Sequence, residues 1–265
     1  MERTFVKTGG DPRGEAAGLR WLGAAQRVGG AHVADVISVD ERRLETAWVD
    51  EARPSADAAR AFGAALARTH AAGADGWGRP ADGWSGPAWM GRSRTPLVTD
   101  PEGAPETWGA FFAEHRIRVF SRLLRDAGAI DEEETAVLDR LADVLEGGSL
   151  DAPQPRLVSE SGHPAARVHG DMWAGNVLYD GTARGATLID PMAHGGHAET
   201  DLATLAVFGF PFLDDVLSGY DEASPLADGW CGRIELHQLG ILIMHAHLFG
   251  GSYVPASLDI ARRYV

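Results

Sequence analysis

Val168-His169-Gly170-Asp171-Met172-Trp173-Ala174-Gly175-Asn176-Val177-Leu178-Tyr179, followed by Ala186-Thr187-Leu188-Ile189-Asp190-Pro191, decides the fold class of this 265-residue chain. Asp171 precedes Asn176 by five residues, and Asp190 lies fourteen beyond Asn176. The runs Val177-Leu178-Tyr179 and Ala186-Thr187-Leu188-Ile189 read as paired strands, with Asp180-Gly181 opening the turn between them. On such a hairpin Asn176 stands where one strand begins and Asp190 where the other ends, so both reach one point. Phosphoryl transfer uses this trio: a carboxylate to orient and deprotonate a hydroxyl, then an amide oxygen and a second carboxylate to hold magnesium on phosphates. Taken singly, an Asp before a strand usually caps a turn and a loop Asn usually bonds its own backbone. Together, the spacing, the preceding His169 and the hairpin agree on one geometry.

Composition sets the frame. With 45% hydrophobic and 23% charged residues, the chain can bury a sizeable core in one or two domains. No run of about eighteen apolar residues suggests a membrane span. The first residues carry no apolar signal segment, and the single cysteine, Cys231, allows no internal disulfide; both fit a cytoplasmic protein. A formal net charge of −14 argues against nucleic acid or anionic membrane as a partner. The basic residues are twenty-three arginines and one lysine, Lys7. A compact ammonium against phosphate oxygens is a role that a planar guanidinium fills poorly, so the lone lysine is a candidate site residue.

The string H-G-D-x-W-x-G-N at 169–176, with Gly195-Gly196-His197-Ala198-Glu199-Thr200-Asp201-Leu202-Ala203, resembles the fructosamine (ketosamine-3) kinases. The likeness continues through Phe208-Gly209-Phe210-Pro211, His237-Gln238-Leu239 and Leu248-Phe249-Gly250-Gly251-Ser252-Tyr253. It covers nearly the whole C-terminal half and, more weakly, reaches Phe5-Val6-Lys7. It implies an α+β, protein-kinase-like two-lobe fold, related to the aminoglycoside phosphotransferases. The expected division is a small, N-terminally truncated β-rich lobe over 1–50 and a mainly helical lobe over 51–265.

The resemblance also implies roles. Asp171 would be the catalytic base, Asn176 and Asp190 the magnesium ligands, and Trp173 the residue touching the acceptor. Lys7 would hold the ATP phosphates, positioned by Glu15; Glu15 as an ordinary first-turn helix residue is the competing reading. Ala47, Trp48 and Val49 would form the adenine-contacting connector between lobes, against a plain strand end. His169 would support the loop, and Asp201 would pin its backbone. The acceptor would be the 3-hydroxyl of a fructosamine or ribulosamine, free or on protein lysine, handled by a monomer with no nucleic-acid or membrane partner. Only six residues precede Lys7, with no glycine-rich stretch among them, whereas kinase-like folds place two strands and a phosphate-covering loop there. A catalytically weak nucleotide- or sugar-binding protein, or an aminoglycoside-type phosphotransferase, is therefore the alternative.

Along the chain, Thr4–Lys7 reads as a strand and Glu15–Leu22 as a helix. Val33–Val39 and Leu44–Val49 read as two further strands. Ser55 caps a helix along Ala58, Phe62, Ala65, Leu66 and Thr69. The stretch 73–105, with Trp77, Trp84 and Trp89, is too long for a simple connector and is expected to cover a site. Its tryptophans would pack on helices sooner than stack on a sugar. Trp108–Ala127 reads as one long helix, and Asp131 caps another. Residues 234–249 form an apolar helix bearing His237, His245 and His247. No carboxylate or cysteine stands at ligand spacing to them, so these are expected to be core or interface histidines.

Overall fold

The computed structural model describes residues 3–90 and 93–265. Strand β1 (Thr4–Thr8) leads through the Gly9-Gly10 turn into helix α1 (Pro12–Ala24). Asp11 caps α1 by accepting from the Gly14 N–H, and Pro12 occupies the first turn, where no amide partner is needed. The expected strand 33–39 is split. Strand β2 (His32–Val33) pairs in parallel with a strand of the larger lobe, and β3 (Val36–Val39) pairs with β4 (Arg43–Ala47). The small sheet has the order β1-β4-β3, and the break at Ala34-Asp35 lets one segment serve two sheets. The amphipathic face of α1, with Ala16, Leu19 and Leu22 buried, lies against this sheet.

Helix α2 (Ala56–Ala71) begins at the expected Ser55 cap, whose hydroxyl accepts from the Ala58 N–H at 3.2 Å. A hairpin, β5 (Ala88–Met90) with β6 (Ser93–Thr95), sits within the long segment that follows. The expected helix from Trp108 is real but interrupted: α3 (Trp108–Phe112) passes through a π-turn at Ala113–Ile117 into α4 (Arg118–Asp126). The extra residue in that turn buries Arg116 toward Pro96 and His194. Helix α5 (Glu132–Glu146) has a full capping box from Asp131 and Glu134. A short α6 (Arg156–Glu160) and β7 (Ala166–Val168) lead to the central hairpin, β8 (Val177–Tyr179) and β9 (Ala186–Leu188). Strand β10 (His194–Gly196) pairs back onto β7, and helices α7 (Ala198–Val207), α8 (Leu213–Ala223), α9 (Trp230–Phe249) and α10 (Tyr253–Arg263) complete the chain.

Two apolar clusters hold the chain, and the first reaches into the small lobe. One gathers α1, α2, the central strands, α7 and α8 around Phe62, Leu66, Met172 and Tyr220; the other gathers α3–α5, α9 and α10 around Phe120, Leu141 and Met244. Full burial of each such side chain contributes roughly 1.5–3 kcal/mol. Helices α2 and α8 cross with backbone nearly touching backbone. A Cβ on Gly63 would lie 2.0 Å from the Val216 carbonyl oxygen, and one on Gly219 2.2 Å from that of Arg60. Neither neighbour can yield as a side chain would. Gly63→Ala is therefore expected to lower unfolding free energy by about 1–3 kcal/mol in urea titration; stability unchanged within error would contradict this close crossing.

Candidate active site

The loop between β7 and β8 is held from below by one carboxylate. Asp201, buried on α7, accepts from the His169 N–H at 2.7 Å and the Gly170 N–H at 2.9 Å. It also lies 3.1 Å from His70 Nε2, whose other nitrogen meets the Tyr220 hydroxyl at 2.8 Å. Burial alone would raise the Asp201 pKa, but the His70 and backbone hydrogen bonds hold it below the usual carboxylate range. Gly170 (φ 81°) makes the turn, and a Cβ there would meet the Met192 carbonyl oxygen at 2.3 Å. His169 spans the loop: Nε2 donates to the Ile189 carbonyl at 2.8 Å, and Nδ1 accepts from the Asp171 N–H at 3.3 Å.

That frame brings the expected trio together. Asn176 Nδ2 donates to Asp171 Oδ2 at 3.0 Å and to the Asp171 carbonyl at 2.8 Å. Asp190 follows β9 with a positive φ of 51°, an uncommon conformation for a residue with a side chain. Lys7 reaches across from β1, its Nζ 2.8 Å from Glu15 Oε2 and 3.0 Å from Asp190 Oδ2. Burial lowers the lysine pKa, yet the two carboxylates outweigh it and keep the ammonium charged. Burial pushes the Glu15 carboxyl up to about 7, against the pull of Lys7. Burial, with Asp190 and Asp201 nearby, likewise raises Asp171 to about 7, although Asn176 opposes it.

Two cavities meet at these residues. The first, about 280 Å³ and largely apolar, is lined by Leu19, Leu44, Ala47, Trp48, Val49 and Leu178, with Lys7, Glu15 and Asp190 at one end. The second, about 460 Å³, shares those three charged residues and adds Asp171, Trp173 and Asn176. Its walls include Trp84 and Trp89 from the segment after α2, which covers the site as expected. Of the three tryptophans there, Trp77 packs inside and donates to the Glu106 carbonyl, and Trp84 lies against Gly14 in the first turn of α1, as expected of packing; Trp84 and Trp89 also line the cavity. Sequence reading also passed over Thr8-Gly9-Gly10-Asp11, which line this cavity directly after Lys7. The available signal was the paired glycines next to the only lysine.

Of the α9 histidines, His237 is buried, as expected of a core histidine. A carboxylate approaches it that residue spacing did not reveal: His197, Glu199 and His237 place ligand atoms within 4.8 Å of one another. Residue spacing hid it because α7 and α9 meet only in the folded chain. Each group already has a protein partner, however. Arg233 clasps Glu199 at 2.6 and 2.9 Å, His237 lies 3.3 Å from Glu199 and 2.9 Å from the Thr200 hydroxyl, and His197 faces the Ala152 carbonyl and the Glu199 N–H. A guanidinium already balances the carboxylate charge, so the cluster reads as a buried polar brace.

Buried histidines here and in β10 set the acid limit of the fold. Burial pushes His194 and His197 down to about 3, from an ordinary value of 6.5. The unfolded chain therefore binds more protons than the folded one between those values, and stability falls as pH drops through the window. Glu15 and Asp171, raised to about 7, act oppositely from pH 7 down to the ordinary carboxylate range near pH 4, below which they are protonated in both states. Glu199, held at about 2 by His237 and Arg233 despite its burial, adds to the loss on the acid side. Urea titration is expected to show a net fall of roughly 1–2 kcal/mol between pH 5 and pH 4. A flat profile there would mean these histidines charge freely in the folded protein.

The sequence model of the family described as fructosamine kinase matches residues 11–265. A Lactiplantibacillus plantarum protein named as a probable ketoamine kinase is 29% identical over 251 residues, 94% of this chain and 80% of that protein. Mouse ketosamine-3-kinase is 32% identical over 157 residues, 59% of this chain and 47% of its own length. The crystal structure of a Thermobifida fusca protein assigned as a fructosamine-3-kinase is similar with a TM-score of 0.83 at 38% identity, covering 99% of this chain and 85% of that one. An ADP-bound aminoglycoside phosphotransferase, 13% identical with a TM-score of 0.59 and coverage of 99% and 88%, shares the kinase-like fold. Among the described residues no helix is long and apolar enough to cross a membrane. The chain belongs to the fructosamine kinase family.

Proposed function

We propose that the protein transfers the terminal phosphoryl group of ATP to a sugar hydroxyl of a ketosamine, a fructosamine or ribulosamine bearing its amine at C1. The observation that carries this reading is the meeting of Asp171, Asn176, Asp190 and Lys7 where an apolar cavity opens into an acidic, tryptophan-walled one. The apolar cavity suits an adenine, bordered by Ala47, Trp48 and Val49. Lys7, steadied by Glu15, sets its ammonium where the phosphates would lie. In the second cavity Asp171 takes the proton of the attacking hydroxyl, and positioning with electrostatics supplies most of the barrier reduction. Three tryptophans with Asp11, Glu15, Asp171 and Asp190 suit a protonated amine carried on a hydroxylated chain.

A divalent ion fits the donor set. Asn176 points only its Nδ2 at protein partners among the described residues, leaving its amide oxygen to accompany the Asp190 carboxylate, a pair of hard oxygen donors. Magnesium, when held there by Asn176 and Asp190, would supply positive charge to neutralise phosphate oxygens. Phosphorylation at the 3-hydroxyl would commit the adduct to decompose, making the protein an agent of deglycation.

The test is ADP release with magnesium, ATP and synthetic fructosamine. Turnover confined to aminoglycosides would defeat the proposal, and nucleotide binding without any turnover would favour a binding protein. Lys7→Arg sharpens it. The guanidinium keeps the charge but cannot sit as a point between Glu15 and Asp190. kcat/KM for ATP is expected to fall roughly 10- to 100-fold, about 1.4–2.8 kcal/mol; an unchanged value would remove Lys7 from the phosphate site.

A further inference from the structure

An aromatic surface runs outward from the site. Trp173, which lines the acceptor cavity and is 41% exposed, meets Phe208 edge-on at 6.4 Å between ring centroids. Phe208 stacks on His245 at 5.4 Å and meets Tyr253 at 6.5 Å. Phe249 closes the row, 5.3 Å from His245 and 6.4 Å from Tyr253. The five rings come from the catalytic loop, the end of α7, the end of α9 and the start of α10. The Gly250-Gly251 reversal between the last two helices sets Phe249 beside Tyr253.

Single exposed aromatic residues are ordinary, but a continuous row is not. Phe249 is 69% exposed and Phe208 44%. Neither packs into either core cluster, although both lie in segments that resemble the family's own. His245 does not interrupt the row with charge: burial lowers its pKa and keeps the ring neutral, and its Nδ1 is buried without a hydrogen-bond partner. The row joins the acceptor cavity through Trp173, and its other four rings line neither that cavity nor the apolar one.

We propose that this ledge is a second acceptor subsite, which takes an apolar or aromatic substituent on the amine nitrogen of the ketosamine. The inference rests on the ketosamine-kinase reading and deepens it. With the sugar hydroxyl at Asp171 and the amine beside Trp173, a substituent on nitrogen leaves the cavity over Trp173 and lies along Phe208, Tyr253 and Phe249. Rings offset or edge-on at these separations are how aromatic groups pair. A methyl substituent ends before the ledge; a benzyl group reaches it.

The experiment compares kcat/KM for two fructosamines, one made from methylamine and one from benzylamine, in the wild type and in Phe208→Ser and Tyr253→Ala. The wild type is expected to favour the benzyl substrate roughly tenfold, chiefly through KM, as burial of one aromatic group allows. Phe208→Ser, at the exposed ring next to Trp173 that a benzyl group reaches first, is expected to bring the ratio close to one, with the loss falling on the benzyl substrate. Equal kcat/KM for both substrates in the wild type overturns the subsite and leaves the ketosamine reading standing. A preference that survives both substitutions overturns it too, because the substituent then binds elsewhere. Turnover of neither substrate overturns the ketosamine reading, and the subsite falls with it.

Discussion

Asp171→Asn is expected to lower kcat roughly a thousandfold while leaving magnesium-ATP binding, read as a thermal shift, close to that of the wild type. The substitution is nearly isosteric, and the new amide can still offer an oxygen to Asn176 Nδ2, so the loop has no reason to rearrange. What is lost is proton acceptance, a contribution of about 10²–10⁴ in rate where a positioned base assists. Three neighbouring carboxylates compete for the proposed role, and the partners of each argue against it. Asp201 has both oxygens committed to backbone N–H groups in the core. Asp190 is engaged by Lys7, and Glu15 shares the same ammonium. Asp171 is left facing the acceptor cavity with Asn176 as its partner, and burial tunes it upward to about 7, so it attracts a proton at neutral pH. A variant that kept kcat within tenfold of the wild type would transfer the role elsewhere. One that lost nucleotide binding as well would assign Asp171 to scaffolding.

Much of this site was legible because its signals are local. The trio lies on one hairpin, so the spacing from Asp171 through Asn176 to Asp190 already implied convergence. The caps at Ser55 and Asp131 were visible for the same reason: a cap is a bond over three residues. What stayed hidden depends on contacts between distant segments. The π-turn at 113–117 is stabilised by burying Arg116 against Pro96 and His194, and nothing in residues 108–127 announces it. The split of 33–39 into β2 and β3 is dictated by pairing with β9, about 150 residues away. Glu199 beside His237 and Trp173 beside Phe208 are likewise products of helix packing. Trp89 reaches the cavity wall on a hairpin that propensity alone does not specify.

Asp201→Ala is expected to destabilise the fold by about 3–5 kcal/mol and to take the activity with it. The side chain touches no reacting atom. Its two oxygens satisfy consecutive N–H groups of the loop that carries Asp171, and its absence leaves both unpaired in a region where water cannot replace it. His70 would lose its Nε2 partner as well, while its Nδ1 remained tied to Tyr220 on α8. One removal thus unsettles α2, α7, α8 and the loop together. Asp201→Asn separates the structural from the catalytic consequence. The amide can accept one of the two N–H bonds but presents a donor to the other, so it should fold with a smaller loss and hold the loop poorly. Its kcat is expected to fall further than its thermal midpoint would suggest, because Asp171 would keep its chemistry and lose its position. Urea titration and steady-state kinetics on the pair decide the matter. An Asp201→Ala protein within about 1 kcal/mol of the wild type would show that the loop is held by Gly170 and the His169–Ile189 bond alone.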